Sequence, residues 1–319
     1  MSANYAPIAY FAFNRPAHTE RTLAALAANP QAEATDLHVF VDGARNEAEC
    51  PLVAKVLDAV RAVQGFRTVT VHASKANQGL YSAITGGVSR VLADAGRVIV
   101  VEDDILVSPF FLAYMNEGLD RFESDLRVGS IHAYSPPIAG LPDHFFLRGG
   151  DCWGWATWTD RWSLYREDTH ELVSELVAND QIDAYLSIYG HHSLVHLIKR
   201  AWGRNFSWAS NWHASLFLAG KLTLHPGRSH VENIGNDGTG THAADSGIYA
   251  TKTTESYDGI GAVHVLHDSD CAKAMRDFMD GVACETPYRI LRRKLVTLLF
   301  KWNAHLIFAK QRGRTGANV

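Results

Sequence analysis

The residues most able to do chemistry stand in RVIVVEDDILVSP, Arg97 to Pro109. An apolar run leads into three consecutive carboxylates, Glu102, Asp103 and Asp104. Adjacent carboxylates repel one another, and each resists leaving water. A positive partner is therefore expected beside them. Acidic residues at a strand tip can hold Mg²⁺ or Mn²⁺ against a diphosphate, because a hard cation takes oxygen ligands and fills its remaining positions with phosphate and water. A solvated turn is the plainer alternative, since short acidic strings are common. The position directly after VIVV is what gives this one weight.

Further polar residues follow other apolar runs. Arg15, in FAFNRP, suits a forked grip on phosphate or a surface ion pair. Asp42, in FVDG, suits a uracil imide or a ribose, and equally an ordinary Asp-Gly turn. Asn77, Gln78 and Gly79 stand where a helix is expected to start, a place that contacts nucleotide or simply caps the helix. The phosphate loop GxxxxGK[ST] is missing, and GxGxxG does not follow the first apolar run. Both absences argue against a P-loop enzyme and a dinucleotide dehydrogenase.

The elements that must position these residues are readable from periodicity. PIAYFAF (Pro7–Phe13) is continuous and apolar, the pattern of a strand buried on both faces. HTERTLAALAANP has helical spacing and ends before Pro30. LHVFVDG, a helix over CPLVAKVLDAVRAV, TVTVH, a helix after ANQG, and RVIVV complete an alternating β-α-β-α-β-α-β order. That order predicts right-handed crossovers and a mostly parallel sheet. Ligands of such sheets bind beyond the carboxyl ends of the strands, so NRP, VDG, NQG and EDD are expected to converge on one edge.

Beyond Pro109 the alternation stops. FFLAYMNEGLDRF predicts a helix and VGSIHAY a strand. GGDCWGWATWTDRW carries Trp153, Trp155, Trp158 and Trp162. Trp faces stack on the C–H faces of sugar rings, though each also suits a core. Asp151, beside two glycines, is the polar candidate there. Residues 1–135 are expected to form a donor-binding half, 136–268 an acceptor-binding half of the same domain, and 269–319 a basic amphipathic helical region. From Glu285 to Val319 there are eight Arg or Lys residues and one acid. Such a helix over 286–314 suits an anionic membrane surface or docking on the core.

The 319 residues are 47% hydrophobic and 20% charged, with net charge −4 and pI about 6.5, which excludes a generic nucleic-acid binder. The N-terminal stretch predicts neither a signal peptide nor a spanning helix. Cys50, Cys152, Cys271 and Cys284 form no CxxC, which argues against a disulfide framework or a zinc module, so a cytoplasmic location fits, with contact at the inner face of the membrane through the basic helix.

Taken together, FAFNRPAHTERTLAAL, FVDG, NQGLYSAI, VVEDDILVSPFFLAYM, CWGWATW and ENIGNDGTGTH resemble the GT-A glycosyltransferases. More narrowly they resemble N-acetylglucosaminyltransferase I and its bacterial hemolysin-like or capsular sugar transferase relatives. The resemblance runs from about Pro7 to His242. It implies a Rossmann-like α/β GT-A fold, a nucleotide-sugar donor, most often UDP-linked, a glycan or lipid-linked saccharide acceptor, and inversion at the anomeric carbon. It implies Mn²⁺ or Mg²⁺ on Asp104, with His242 near the metal or diphosphate. Glu102 and Asp103 would contact donor sugar or ribose. Phe13, Asn14, Arg15, Asp42, Asn77, Gly79 and Leu80 would line the donor site, and Trp153, Trp155, Trp208 and Trp212 the acceptor.

One position departs from the family pattern. Relatives carry an acid after the first Trp of W-D-x-x-W, the expected general base. Here WASNW places Ala209 there, and alanine cannot take a proton. Asp151 or His213 could have taken over, the alanine could be an introduced inactivating change, or the chain could bind donor without efficient transfer. A nucleotidyltransferase is the remaining rival, but FAFNRPAHTE lacks its Gly-rich basic loop.

Overall fold

The computed structural model describes residues 5–235, Asp237, residues 249–282, Leu295 and Leu298. His242 and nearly all of 286–314 lie outside the described residues.

The first half alternates as the periodicity requires. β1 (Ile8–Ala12), α1 (Pro16–Ala27), β2 (Asp36–Val41), α2 (Cys50–Ala62), β3 (Thr68–Ala73), α3 (Gly79–Ala95) and β4 (Arg97–Glu102) follow in order. β1 is buried at all five positions, which explains its unbroken apolar sequence. β3 is an edge strand, and its Thr-Val-Thr-Val alternation suits a strand covered on one face. Pro16 opens α1, where a missing N–H costs nothing.

The chain then forms β5 (Ile105–Val107), α4 (Phe111–Phe122), β6 (Val128–His132), β7 (His144–Arg148), β8 (Trp155–Trp158) and α5 (Thr159–Trp162). After these come α6 (Thr169–Ala178), α7 (Ile182–Ala201), α8 (Trp208–Leu218), β9 (Leu222–Pro226), β10 (Val231–Asn233) and α9 (Ser269–Val282).

Eight strands form one sheet in the order β3-β2-β1-β4-β8-β6-β9-β7. β3, β2, β1 and β4 are mutually parallel. β8 enters antiparallel between β4 and β6, and β9 pairs parallel with β6. Six strands thus share one direction, with β8 and β7 opposed. The architecture is α/β, a mostly parallel eight-stranded sheet flanked by helices. The carboxyl ends of β1, β2, β4, β6 and β9 therefore face one edge. Because β8 runs the other way, the residues before it reach that same edge.

Apolar clusters cover both faces of the sheet. One packs α1, α2 and α4 against β1, β2 and β6. Another packs α3 and α8 against the opposite face of β1 and β4, with Trp155, Trp162, Trp208 and Trp212 in van der Waals array. Among the described residues no helix is long and apolar enough to cross a membrane.

Candidate active site at the carboxyl edge of the sheet

The acidic tip is built by the end of β4 and the turn into β5. Asp103 is buried, while Glu102 and Asp104 are half-buried. The positive partner that three carboxylates demand comes from the tip of β1. One terminal nitrogen of Arg15 donates to Asp103 Oδ1 and, at 3.0 Å, to Asp104 Oδ2. The Phe13 N–H reaches Asp103 Oδ2 at 3.4 Å, and Thr22 Oγ1 donates to the Asp103 carbonyl at 2.9 Å. These contacts fix the turn against α1.

One guanidinium does not balance three carboxylates. Burial, then Asp104 and Asp103, push Glu102 up to about 8, with Arg15 opposing. Burial raises Asp103 to about 6 despite Arg15. Burial works against the charge on Arg15, yet Asp103 and Asp104 outweigh it and its pKa rises. The tip is thus an oxygen-only donor set with more negative charge than its protein partner neutralises. Those are the properties that suit Mg²⁺ or Mn²⁺, so the residues fit the cation the sequence suggested.

The NIG stretch closes the tip from the other side. β10 pairs antiparallel with β5, matching Asn233 to Ile105. The Ile234 N–H donates to the Asp104 carbonyl at 2.8 Å, and His18 Nε2 lies 3.2 Å from the Ile234 carbonyl. His242, further along this stretch, lies outside the described residues.

The end of β2 organises a second loop. Asp42 Oδ1 accepts from the N–H groups of Gly43 and Gln78, at 2.9 and 2.8 Å. Its Oδ2 accepts from Asn77 Nδ2 and the Gly79 N–H, both at 2.9 Å. The carboxylate that the sequence reading assigned to nucleotide is thus already occupied, and it ties the start of α3 to β2. Gly43 permits this closure, because a Cβ there would stand 2.5 Å from the Ala76 carbonyl carbon. Phe13 lies beneath the Arg45 guanidinium, and Asn14 donates to Glu49 Oε1 at 3.2 Å. Leu80 is exposed just beyond the loop.

The acceptor side needs correction. Trp155, Trp208 and Trp212 are 0%, 2% and 0% exposed. Their rings pack on one another at centroid distances of 5.4 Å, leaving no face for a sugar. They form core, and their crowding in sequence reflects a shared face of β8 and α8. Trp153 alone of the expected four is half-buried, edge-on to Tyr134 and Tyr249. Ala209 is half-buried against this aromatic cluster at the start of α8.

Asp151 reaches the edge just ahead of β8. Its Oδ1 accepts from the Cys152 N–H at 2.8 Å and its Oδ2 from the Tyr189 hydroxyl at 2.9 Å. Burial opposes its charge, but His132 and His225 outweigh this and hold its pKa below the usual carboxylate range. His213 is buried, with Nδ1 2.8 Å from the Gly150 carbonyl. Gly149 has φ +100°, and a Cβ there would stand 2.4 Å from the His213 ring. Gly149 therefore admits the imidazole against the backbone, and Gly150, where a Cβ would stand 2.8 Å from the Trp212 ring, admits the indole.

Two residues near Asp151 escaped the sequence reading, His132 at the end of β6 and His225 in β9. A histidine near the end of each of two apolar strand runs was the available signal. Only the β6–β9 pairing turns those two positions into neighbours.

No family profile and no curated protein matches the chain. Among solved structures it is similar to the mannosyltransferase PcManGT from Pyrobaculum calidifontis in complex with GDP-Man and Mn²⁺, at 15% identity and TM-score 0.30, over 42% of this chain and 37% of that one. It is also similar to S. aureus TarS 1–349, at 12% identity and TM-score 0.32, over 48% and 47% of the two chains. A further TarS structure from S. aureus matches at 15% identity and TM-score 0.31, over 43% and 23%. In each case the match spans less than half of the solved chain. Likeness of this extent transfers no activity.

Proposed function

We propose that this chain is a metal-dependent, inverting glycosyltransferase that moves a hexose from a nucleotide sugar, a UDP-sugar in the first instance, to a glycan or lipid-linked saccharide. The observation that carries the reading is the acidic tip of β4. One guanidinium pairs with Asp103 and Asp104 beside Glu102, at the sheet edge where the β1 and β2 tips and the α3 start also lie. The resemblance to N-acetylglucosaminyltransferase I and its bacterial relatives supports the same assignment.

In this reading Asp104, the more accessible aspartate, holds Mn²⁺ or Mg²⁺, and Glu102 and Asp103 line the donor sugar and ribose. The metal, when bound, stabilises the charge that builds on the departing diphosphate. Arg15 keeps the aspartates paired until donor arrives and then shares its donors with phosphate. Asp42 serves by holding the loop of Asn77 and Gly79 in place. Trp153 and Asp151 face the acceptor side.

A second reading rests on Ala209. No carboxylate stands where the family pattern puts the base, which favours a chain that binds donor and transfers poorly. Both readings predict donor binding, and labelled nucleotide found joined to a sugar phosphate would instead favour a nucleotidyltransferase. A thermal-shift panel of UDP-, GDP-, CMP- and dTDP-sugars with and without Mn²⁺ tests the site, since a ligand of the native state raises its melting temperature. UDP or a UDP-sugar with Mn²⁺ is expected to give the largest rise. A flat panel overturns the donor site.

A further inference from the structure

We propose that His132, His225 and Asp151 form a second divalent-metal site, of nitrogen-rich character and chemically distinct from the acidic tip. β6 and β9 pair in parallel, with Ile131 opposite Leu224, so His132 and His225 sit side by side. Both are buried, at 0% and 1% exposure. Their Nδ1 atoms are 3.2 Å apart, and His132 Nδ1 is 3.6 Å from Asp151 Oδ2. All three ligand atoms lie within 4.8 Å of one another. Ligands about 2.0–2.1 Å from a tetrahedral ion stand roughly 3.3 Å apart, close to the 3.2 and 3.6 Å separations that His132 makes, and the ion would draw the remaining pair together.

The protons point the same way. Two Nδ1 atoms at 3.2 Å cannot both point hydrogen at each other, so at least one presents a lone pair between the rings, where it accepts from the other ring's N–H or from a cation. The Asp151 oxygen facing it is also an acceptor. Acceptors converging in a buried place need a cation or a proton, and the carboxylate is already oriented from outside. The Tyr189 hydroxyl donates to Oδ2 and the Cys152 N–H to Oδ1, the kind of outer contacts that fix metal ligands.

Two imidazoles with one carboxylate suit Zn²⁺ or another late first-row divalent ion rather than Mg²⁺, which wants oxygen and near-octahedral geometry. Three protein ligands leave a fourth position for water or a ligand oxygen. Asp151, with a side chain 25% exposed, marks the side open to solvent. A metal-held Asp151 is a ligand and not a free base. The inference does not rest on the donor reading, because it uses none of Glu102, Asp103 or Asp104.

Co²⁺ is the probe, since it replaces Zn²⁺ and absorbs visibly in low-coordinate nitrogen and oxygen sites. The full chain, stripped with chelator and without nucleotide, is titrated with Co²⁺ and then with Zn²⁺ or Mg²⁺. The expected result is one equivalent of coloured Co²⁺, displaced by Zn²⁺ but not by Mg²⁺. Asp104→Asn keeps that signal, and Asp151→Asn and His225→Gln each weaken binding at least tenfold. Asp151→Asn is isosteric and only partly buried, so it decides the matter if His225→Gln does not fold. The proposal is overturned if the folded parent takes up no coloured Co²⁺. It is also overturned if Asp151→Asn binds as tightly as the parent, or if Asp104→Asn abolishes the signal.

Discussion

At the scale of single residues, Arg15 is the cation that the acidic run demanded. It bridges Asp103 and Asp104 from a different strand tip. That a partner was needed was legible from three adjacent carboxylates. That it would be this arginine was not, because only the parallel pairing of β1 with β4 brings the two tips together. Trp155, Trp208 and Trp212 failed as acceptor residues for the converse reason. Composition shows how many there are but not which way each ring faces, and Trp155 and Trp212 face each other. Replacing Asp104 by Asn removes one oxygen charge and leaves the fold's contacts largely intact. Mn²⁺-dependent binding of UDP-sugar, measured by calorimetry, is expected to weaken at least tenfold, about 1.4 kcal/mol or more. Position 209 is tested in the opposite direction. Ala209→Asp is expected to raise sugar transfer by 10²-fold or more, the scale of a positioned general base. Unchanged transfer removes that position from the mechanism.

At the scale of elements, the convergence of loops was legible because the sequence alternates cleanly through β4. Apolar runs ended in NRP, VDG and EDD, and parallel strands send such ends to one edge. The role of Asp42 was not legible, since a nucleotide ligand and a loop anchor look alike in one dimension. Its carboxylate accepts from four donors and thereby sets the start of α3. Asp42→Ala strands those donors and is expected to cost about 2–3 kcal/mol. Amide exchange at Gln78 and Gly79 is expected to speed by at least tenfold, while exchange in β1 is little changed. Equal protection at 78 and 79 in parent and variant contradicts the anchoring role.

At the scale of the whole molecule, the second half was less legible. β8 lies in tryptophan-rich text with no element assigned to it from sequence, and it inserts antiparallel between β4 and β6. Long-range pairing decided this, and no local period announces it. The same half buries histidines, which makes stability depend on pH. Burial, then His144 and Arg228, lower the pKa of His230 from 6.5 to about 3, and Ser108 and the Tyr114 and Tyr257 rings also face it. The unfolded chain therefore binds the extra proton below pH 6.5, and stability falls as pH drops from there toward about 3. In urea titrations His230→Gln is expected to lose about 2 kcal/mol less than the parent between pH 7 and 5. Identical slopes contradict this. Nearly all of the basic stretch 286–314 lies outside the described residues, and its membrane contact is a proposal. Flotation with anionic vesicles is expected to carry the full chain, and Arg292→Glu with Arg293→Glu is expected to release it.

Manganese electron paramagnetic resonance addresses the proposed donor site most directly. Adding UDP to the chain with one equivalent of Mn²⁺ is expected to broaden the free-ion signal, and Asp104→Asn to restore it. If the sharp aqueous spectrum persists in the parent with UDP present, the acidic tip of β4 does not bind a metal–diphosphate, and the proposed function falls with it.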